Sequence, residues 1–379
     1  VTATGQRASV SETLNRLQAI KTDEFETRVP PAARPLLVQL KHQLRDLIAD
    51  TLNAPAGRSA QRAALRARVL VKLGEMGIKV GDPPSDKNYQ YTYGYIEDIG
   101  FQTPPRHPEL LAVVTSLTVR CGEDSSLYLF RREGVRWRLL LADEANNYED
   151  IGGAHGLFGY AISPPDHRGR FFVVTVNVNP WCNSNWQSIR YKVLRPGNSA
   201  TQPRVIMSRE GEIFLGVEPR YSLSVKENGF TLTFTGALNL DAGLFSRLYV
   251  ENFMVDERSA TRVAPVALRA EDFLDEWIQL PWNEAARWSA PGRRTELKRW
   301  HEKLQKLNYF SELLFIQPCH SRSEWQIGAR VEEHSSSGSL SSKLFFNIAR
   351  RRQRFTLRSV STERPAGCPG ETSPYGHQP

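Results

Sequence analysis

The sequence of 379 residues lacks the features that assign a chain to a familiar class of enzyme or membrane protein. No apolar run approaches the roughly 18 residues that a membrane-spanning helix needs, so no transmembrane span is expected. The G-x-S-x-G, H-E-x-x-H and phosphate-loop signatures are missing. The glycine-rich residues 152–159 do not have the G-x-G-x-x-G spacing of a dinucleotide site, and they read as a loop. The sequence therefore names no activity and no cofactor.

Cysteine is scarce, and none of the four cysteines forms a C-x-x-C pair, which argues against zinc and thioredoxin-type chemistry. We favour the disulfides Cys121–Cys182 and Cys319–Cys368, because each joins residues of one predicted domain. The second would hold a Pro/Gly-rich tail and be worth roughly 4 kcal/mol. Two disulfides predict a secreted, periplasmic or cell-surface protein, and four buried thiols in a cytosolic protein are the alternative. The start at Val1, without Met, fits a mature or a trimmed chain.

The composition is that of a globular protein, with 40% hydrophobic and 24% charged residues. Methionine is rare (3), whereas Trp (8) and Tyr (12) are frequent, which suits either β-sheet cores or rigid amphipathic surfaces. The net charge of +8 favours anionic partners such as an acidic polymer. No recognised nucleic-acid fold accompanies the densest positive run, Arg350–Arg354, so a nucleic acid is an unlikely partner.

The patterning predicts a mainly β chain with some α-helix, in three regions. Residues 1–84 form a helical segment, because apolar residues at 36, 37, 40, 44, 47 and 48 follow helical spacing. Residues 85–268 form an all-β domain, a sandwich or propeller-like, whose short strands include a hairpin at Asn228-Gly229. Residues 269–379 form a small α+β domain of helices followed by strands, with residues 335–342 as a flexible loop.

The hairpin of residues 344–346 and 354–357 in this last region resembles the nuclear-transport-factor-2-like superfamily. The resemblance covers at most about 100 residues, the size of one small domain. It implies a cone-shaped α+β fold and brings no catalytic motif with it.

Two features suit the recognition of a carbohydrate. Tyr89, Tyr91, Tyr93 and Tyr95 alternate, so in a strand they share one face and form a stacking platform, or else they lean on a neighbouring helix. The second feature combines carboxamides, which match sugar hydroxyls, with indole rings, which stack on a pyranose. Its residues are Asn179, Trp181, Asn183, Asn185 and Trp186. A turn built by Asn, Pro and Ser, with Trp in the core, explains this segment equally well.

An acidic stretch supplies the third candidate. Asp143, Glu144, Glu149 and Asp150 could hold Ca²⁺ or perform general acid–base chemistry, although the spacing of a known calcium loop is absent. A solvated acidic loop is the alternative, and His155 beyond it reads as a surface group.

The sequence supports three hypotheses. The leading one is an exported binding or interaction protein for a glycan or another extracellular polymer. The second is a carboxylate-dependent, glycosidase-like hydrolase, and the third is a structural component whose β edges self-associate.

Overall fold

The computed structural model describes residues 9–21, 27–55, 62–81, 93–182, 184–240, 245–306, 310–321, 323–335, 338–366 and 368. It confirms a mainly β fold with an N-terminal helical segment. The helices are α1 (Val10–Gln18), α2 (Ala33–Asn53), α3 (Arg62–Glu75), α4 (Ala270–Gln279), α5 (Trp282–Ala285) and α6 (Arg294–Leu304). Within the described residues, no helix has the length and apolarity needed to cross a membrane.

The strands form four antiparallel sheets of four strands each, and within every sheet the neighbours follow chain order. The first sheet is β1 (Ile96–Gln102), β2 (Leu110–Val119), β3 (Gly122–Glu133) and β4 (Arg136–Asp143). The second is β5 (Phe158–Ile162), β6 (Val173–Val178), β7 (Trp186–Ser199) and β8 (Gln202–Phe214). The third is β9 (Tyr221–Lys226), β10 (Gly229–Leu238), β11 (Phe245–Val255) and β12 (Ala260–Arg262). The fourth is β13 (Phe310–Pro318), β14 (Glu324–Ser335), β15 (Gly338–Arg351) and β16 (Arg354–Ser361).

The chain divides into two compact units. Unit 1 contains Val1–Gly211, Val225–Gly229 and Val255–Ala260, and unit 2 contains Glu212–Ser224, Phe230–Met254 and Thr261–Pro379. The predicted boundaries after residues 84 and 268 therefore fall inside unit 1 and unit 2. The reason in unit 1 is that helices α2 and α3 contact strands of the first sheet. The division into three regions at these residues stays a prediction.

Unit 1 stacks helices on the first sheet, whose other face contacts the second sheet. The helical spacing that predicts α2 buries one stripe of that helix, including Leu37, Leu40 and Leu44, in a core with Tyr128 and Phe130 of β3. Residues at neighbouring positions of the first sheet point to its opposite face, where they share a second core with β6 and β7. This second core contains Leu110, Ala112, Leu127, Leu129, Leu141, Phe171, Val173 and Leu194.

Unit 2 has its own core, in which α4 and α6 pack against the fourth sheet. Trp277 of α4 is fully buried and its indole N–H donates to Ser289 Oγ at 2.9 Å. Helices followed by an antiparallel sheet match the α+β arrangement predicted for the C-terminal region. Ser335 and residues 338–342 lie in the paired strands β14 and β15 rather than in the predicted loop, and residues 336 and 337 lie outside the described residues. The prediction is wrong because a sheet ladder joins backbone groups and tolerates serine-rich strands.

Both predicted disulfides are present. Cys121 and Cys182 have Cα atoms 5.0 Å apart, and Cys319 and Cys368 have Cα atoms 4.4 Å apart. Each bond lies within one unit, as the domain argument required. Two disulfides are typical of proteins that fold in an oxidising compartment.

Replacing Cys121 and Cys182 together by serine is expected to lower the free energy of unfolding of unit 1 by about 2–4 kcal/mol. The bond closes a segment of 61 residues and so restricts the unfolded chain. Urea unfolding without reductant measures the free energy of unfolding of the variant, and the wild-type protein under the same conditions is the reference. A midpoint equal to that of the wild type would show that the bond adds no stability.

Candidate functional site

The candidate site is the loop between β6 and β7, residues 179–185, which the structure anchors at several points. Cys182 in this loop is bonded to Cys121 at the turn between β2 and β3. The N–H of Asn179 donates to the carbonyl of Ser188 at 3.0 Å, and the N–H of Trp186 donates to Ser184 Oγ at 2.9 Å. A covalent anchor and these bonds restrict the backbone of a short loop and so reduce the entropy that it loses on binding.

Two glycines let neighbouring backbone segments approach this loop closely. A Cβ atom at Gly122 would lie 3.1 Å from Pro180 Cβ, and one at Gly156 would overlap the backbone at Val178 and Pro180. A Cβ atom at Gly152 would lie 3.4 Å from Asn179 Nδ2. The segment of residues 152–156, read from the sequence as a loop, therefore packs against the start of the β6–β7 loop.

The predicted residues of this loop differ in their exposure. Trp181 is 49% exposed, which is high for the largest apolar side chain. Asn185 is exposed, whereas Asn179 and Trp186 are half-buried. Asn179 Oδ1 is buried without a hydrogen-bond partner among the described residues. Asn183 lies outside the described residues. Among the described residues of this segment, one indole ring and one carboxamide are thus exposed, and a second ring and a second carboxamide are half-buried.

The predicted tyrosine stripe finds no support in the two members that lie within the described residues. Tyr89 and Tyr91 lie outside them. Tyr93 is fully buried in the core of unit 1, and Tyr95 is half-buried. Residues 93–95 precede β1 rather than forming a strand. Tyr93 is therefore a core residue and not a stacking platform, because the neighbouring Gly94 packs against α1 at Leu14 and Leu17 and brings this segment under the helix.

The acidic stretch separates into groups with different surroundings. Asp143 accepts from Lys192 Nζ of β7 at 3.2 Å, whereas Glu144 accepts from Arg45 Nη1 of α2 at 3.3 Å. Consecutive residues at the end of a strand point to opposite faces, which explains this division. The side chains of Glu149 and Asp150 are exposed.

Asp143 and Glu144 consequently have different partners, and Glu149 and Asp150 lie at the surface. Within the described ranges, which include all of them, no group of three or more His, Cys, Asp or Glu side chains could hold a metal ion. The geometry gives no support to the predicted Ca²⁺ site, and the glycosidase-like hypothesis stays a prediction.

His155 is buried rather than exposed as its polar neighbourhood suggested. The side chain is 4% exposed and stacks on Phe158 with ring centroids 6.0 Å apart. Burial is the largest cause that lowers the pKa of His155, to about 4, with the charge of Asp143 acting in the opposite direction. His155 is thus neutral at physiological pH, and it belongs to the interior of unit 1.

A polar row on the second sheet leads from this interior towards the loop. Thr175 faces Lys192 across the β6–β7 ladder, and Asn177 faces Arg190. The guanidinium of Arg190 donates to the carbonyl of Gly152. Burial raises the pKa of Asp143, but His155, which becomes charged only in acid, the charge of Lys192 and a hydrogen bond from Thr175 together outweigh burial, so this pKa is lowered. Through Arg190, the row holds residue 152 next to Asn179, which is the first residue of the loop.

One sign of this row is present in the sequence, although it was not part of the predictions above. Thr175, Asn177 and Asn179 alternate with valines in a strand that is otherwise apolar, so one face of the strand carries polar groups.

A second buried group has no sequence signal. Lys41 Nζ of α2 lies 2.6 Å from Asp124 Oδ2, and this carboxylate also accepts from Tyr148 Oη at 2.5 Å.

No family model matches the chain, and no curated protein matches it. Among solved structures, it is similar to an α-L-arabinofuranosidase from Fusarium graminearum in complex with an iminosugar inhibitor, at 7% identity and a TM-score of 0.29 over 75% of this chain and 69% of that one. It is also similar to a protein solved as an RGII complex, at 7% identity and a TM-score of 0.26 over 82% of this chain and 99% of that one.

A third similar structure is an NTF2-like protein involved in plasmid conjugation, at 7% identity and a TM-score of 0.17 over 54% of this chain and 76% of that one. Identities and TM-scores this low carry no argument about the function of this chain. The case for a function therefore rests on the site itself.

Proposed function

We propose that this chain is a carbohydrate-binding protein of an oxidising compartment and that the β6–β7 loop is its binding surface. The observation that carries the proposal is the half-exposed ring of Trp181 on a loop anchored by the Cys121–Cys182 bond. An exposed tryptophan leaves a large apolar area in water, which is unfavourable unless a ligand covers it. A loop whose backbone is already anchored loses less conformational entropy when it binds than an unanchored one.

The polar groups beside this ring narrow the class of ligand. Asn179 and Asn185 carry carboxamides, which both donate and accept hydrogen bonds, as sugar hydroxyls do. The flat indole of Trp181 suits the apolar C–H face of a sugar ring, and Trp186 is the first residue of β7, directly after the loop. A purely apolar partner would leave these carboxamides unpaired. The combination therefore favours a neutral, hydroxyl-rich polymer.

Replacing Trp181 by alanine is expected to weaken polysaccharide binding about 10- to 100-fold, the usual effect of removing a tryptophan hot spot. Laminarin, xylan, mannan and arabinan are suitable neutral probes, tested by isothermal titration calorimetry. The fold should survive because the side chain is half exposed.

The matched control is Val205→Ala, which truncates another exposed apolar side chain of unit 1, 54% exposed on β8. This variant is expected to bind like the wild type. Equal affinities of the two variants for a polysaccharide that the wild type binds would refute the assignment of the loop. Circular dichroism of each variant confirms that the comparison is made between folded proteins.

A further inference from the structure

Unit 2 carries a cluster of arginine side chains, none of which belongs to the β6–β7 loop. Strands β15 and β16 are joined by the turn at Arg352-Gln353, and Arg351 faces Arg354 directly across the ladder. The segment of residues 286–288 lies beside β16 and adds Arg287, because Ala290 N–H donates to the carbonyl of Leu357 at 2.9 Å. The arginine cluster consists of Arg287, Arg350, Arg351, Arg352 and Arg354.

Several of these guanidinium groups are held in place by the fold. Arg354 donates to the carbonyl of Arg287, and its Cζ lies 5.1 Å from the centroid of the Trp288 ring. Arg287 Cζ lies 5.9 Å from the same ring. Arg350 Nε donates to the carbonyl of Arg352 at 3.1 Å. Cation–π contacts and backbone bonds fix the position of the charges but do not neutralise them.

Carboxylates neutralise the neighbouring arginines but not these five. Arg293 pairs with Glu296 at 2.8 Å, and Arg358 pairs with Glu324 at 2.7 Å. Within the described part of the chain, no carboxylate lies within ion-pair distance of any member of the cluster. Four of the five are exposed, and Arg350 is half-buried. The cluster therefore leaves a concentrated positive charge facing solvent.

The local backbone would be more stable with other residues. Like charges directly opposite each other on two strands, such as Arg351 and Arg354, repel. Arg352 has a φ of 57°, in the left-handed region that favours glycine or asparagine. An anion that bridges these guanidinium groups would remove the repulsion. A strained turn that carries charge in this way is typical of a binding site rather than of a structural turn.

We infer that the arginine cluster binds an acidic polysaccharide through the carboxylate groups of its uronic acid residues. Guanidinium groups bind carboxylates in a bidentate, planar geometry that lysine cannot offer, and every cation of the cluster is an arginine. Both disulfides are typical of proteins in oxidising compartments, where polysaccharides rather than nucleic acids are the abundant polyanions. This surface belongs to unit 2 and does not depend on the proposed role of Trp181.

The test compares two triple variants of the full chain against polygalacturonate at about 50 mM salt, where charge contacts are not yet screened. The first carries Arg351→Gln, Arg352→Gln and Arg354→Gln. The control carries Arg132→Gln, Arg136→Gln and Arg138→Gln in the β3–β4 hairpin, where Arg138 is paired with Glu133 at 2.8 Å. Each lowers the net charge from +8 to +5, since 8 − 3 = 5.

The first variant is expected to bind polygalacturonate at least about 10-fold more weakly than the wild type, and the control less than about 2-fold, because Glu133 lies in the control hairpin and neutralises Arg138 there. Equal losses in both variants would reduce the effect to net charge and overturn the inference. Unchanged affinity in the first variant would do the same.

Three further arms keep the result interpretable. Arg352→Gly suits the left-handed backbone, so it should fold at least as well as the wild type and bind about 2- to 5-fold more weakly, as expected for the loss of one charge contact. A 20-bp DNA duplex is the competing polyanion, and tighter binding of the duplex than of polygalacturonate at equal salt would overturn the polysaccharide assignment. The first variant should keep the affinity of the wild type for a neutral polysaccharide that the wild type binds, which separates this surface from the β6–β7 loop.

Discussion

Replacing Lys41 by methionine is expected to lower the free energy of unfolding of unit 1 by about 3–5 kcal/mol. The ammonium group lies 2.6 Å from Asp124 Oδ2 and donates to the carbonyl of Ala145 at 2.9 Å, with both charged side chains no more than 1% exposed. Methionine fills a similar volume, so the change removes the charge and little packing. It leaves Asp124 as a buried carboxylate without its cation, which is the most unfavourable state of a buried ion pair.

Equilibrium urea unfolding, monitored by circular dichroism, measures this loss. The control is Lys72→Met, which breaks the exposed pair of Lys72 and Glu75 and should stay within about 0.5 kcal/mol of the wild type. Adding Asp124→Asn to Lys41→Met should cost less than the sum of the two single changes, because the second change removes the unpaired charge. Strictly additive losses would show that the two side chains are not coupled.

Replacing Glu276 by glutamine is expected to lower the free energy of unfolding of unit 2 by about 3 kcal/mol or more. This carboxylate of α4 accepts from Arg247 Nη2 at 2.5 Å and from the guanidinium of Arg262, and all three side chains are buried. Arg247 also pairs with Asp275 at 2.7 Å, and Arg262 with Glu251 at 3.1 Å. Glutamine keeps the volume but leaves two buried cations with one anion fewer.

The pH dependence of this effect follows from the direction of the pKa shift. Burial alone would raise the pKa of Glu276, but the charges of Arg262 and Arg247 outweigh it and lower this pKa below 4.5. A lowered pKa in the folded state means that the stabilisation is complete above pH 4.5 and disappears as the pH falls through the folded-state value. The difference between the variant and the wild type should therefore be largest at neutral pH and shrink on acidification.

Glu296→Ala provides the control for unit 2, since it removes an exposed partner of Arg293. Its effect on stability is expected to remain below about 1 kcal/mol. Two results would contradict the network of charges described for α4, β11 and β12. One is a Glu276→Gln variant that is as stable as the wild type at neutral pH, and the other is a difference in stability that grows as the pH falls.

Local patterns predict the secondary structure well because they depend on near neighbours in sequence. The apolar residues of α2 at helical spacing indicate both the helix and its buried face. The Asn228-Gly229 turn and the Glu133-Gly134 turn mark hairpins that β9–β10 and β3–β4 form. The disulfide pairing also follows, since each bond joins segments that lie within one compact unit.

Contacts between distant parts of the chain could not be predicted in the same way. Nothing in the sequence near Lys41 indicates that a residue of β3 neutralises it, and nothing near Asp143 and Glu144 shows that the two residues face different layers. The burial of Tyr93 and His155 has the same cause. Such facts depend on which faces the topology brings together, and the sequence pattern indicates only the alternation of faces within each strand.

The most direct test of carbohydrate binding is hydrogen–deuterium exchange of the full chain, with and without the neutral polysaccharide that binds most tightly among laminarin, xylan, mannan and arabinan. Bound polymer should slow exchange in the β6–β7 loop and in the adjoining residues 152–156, because these segments lie side by side. Slowed exchange confined to these segments is the predicted result. Protection elsewhere, or no binding by any of the four polymers, would contradict the account.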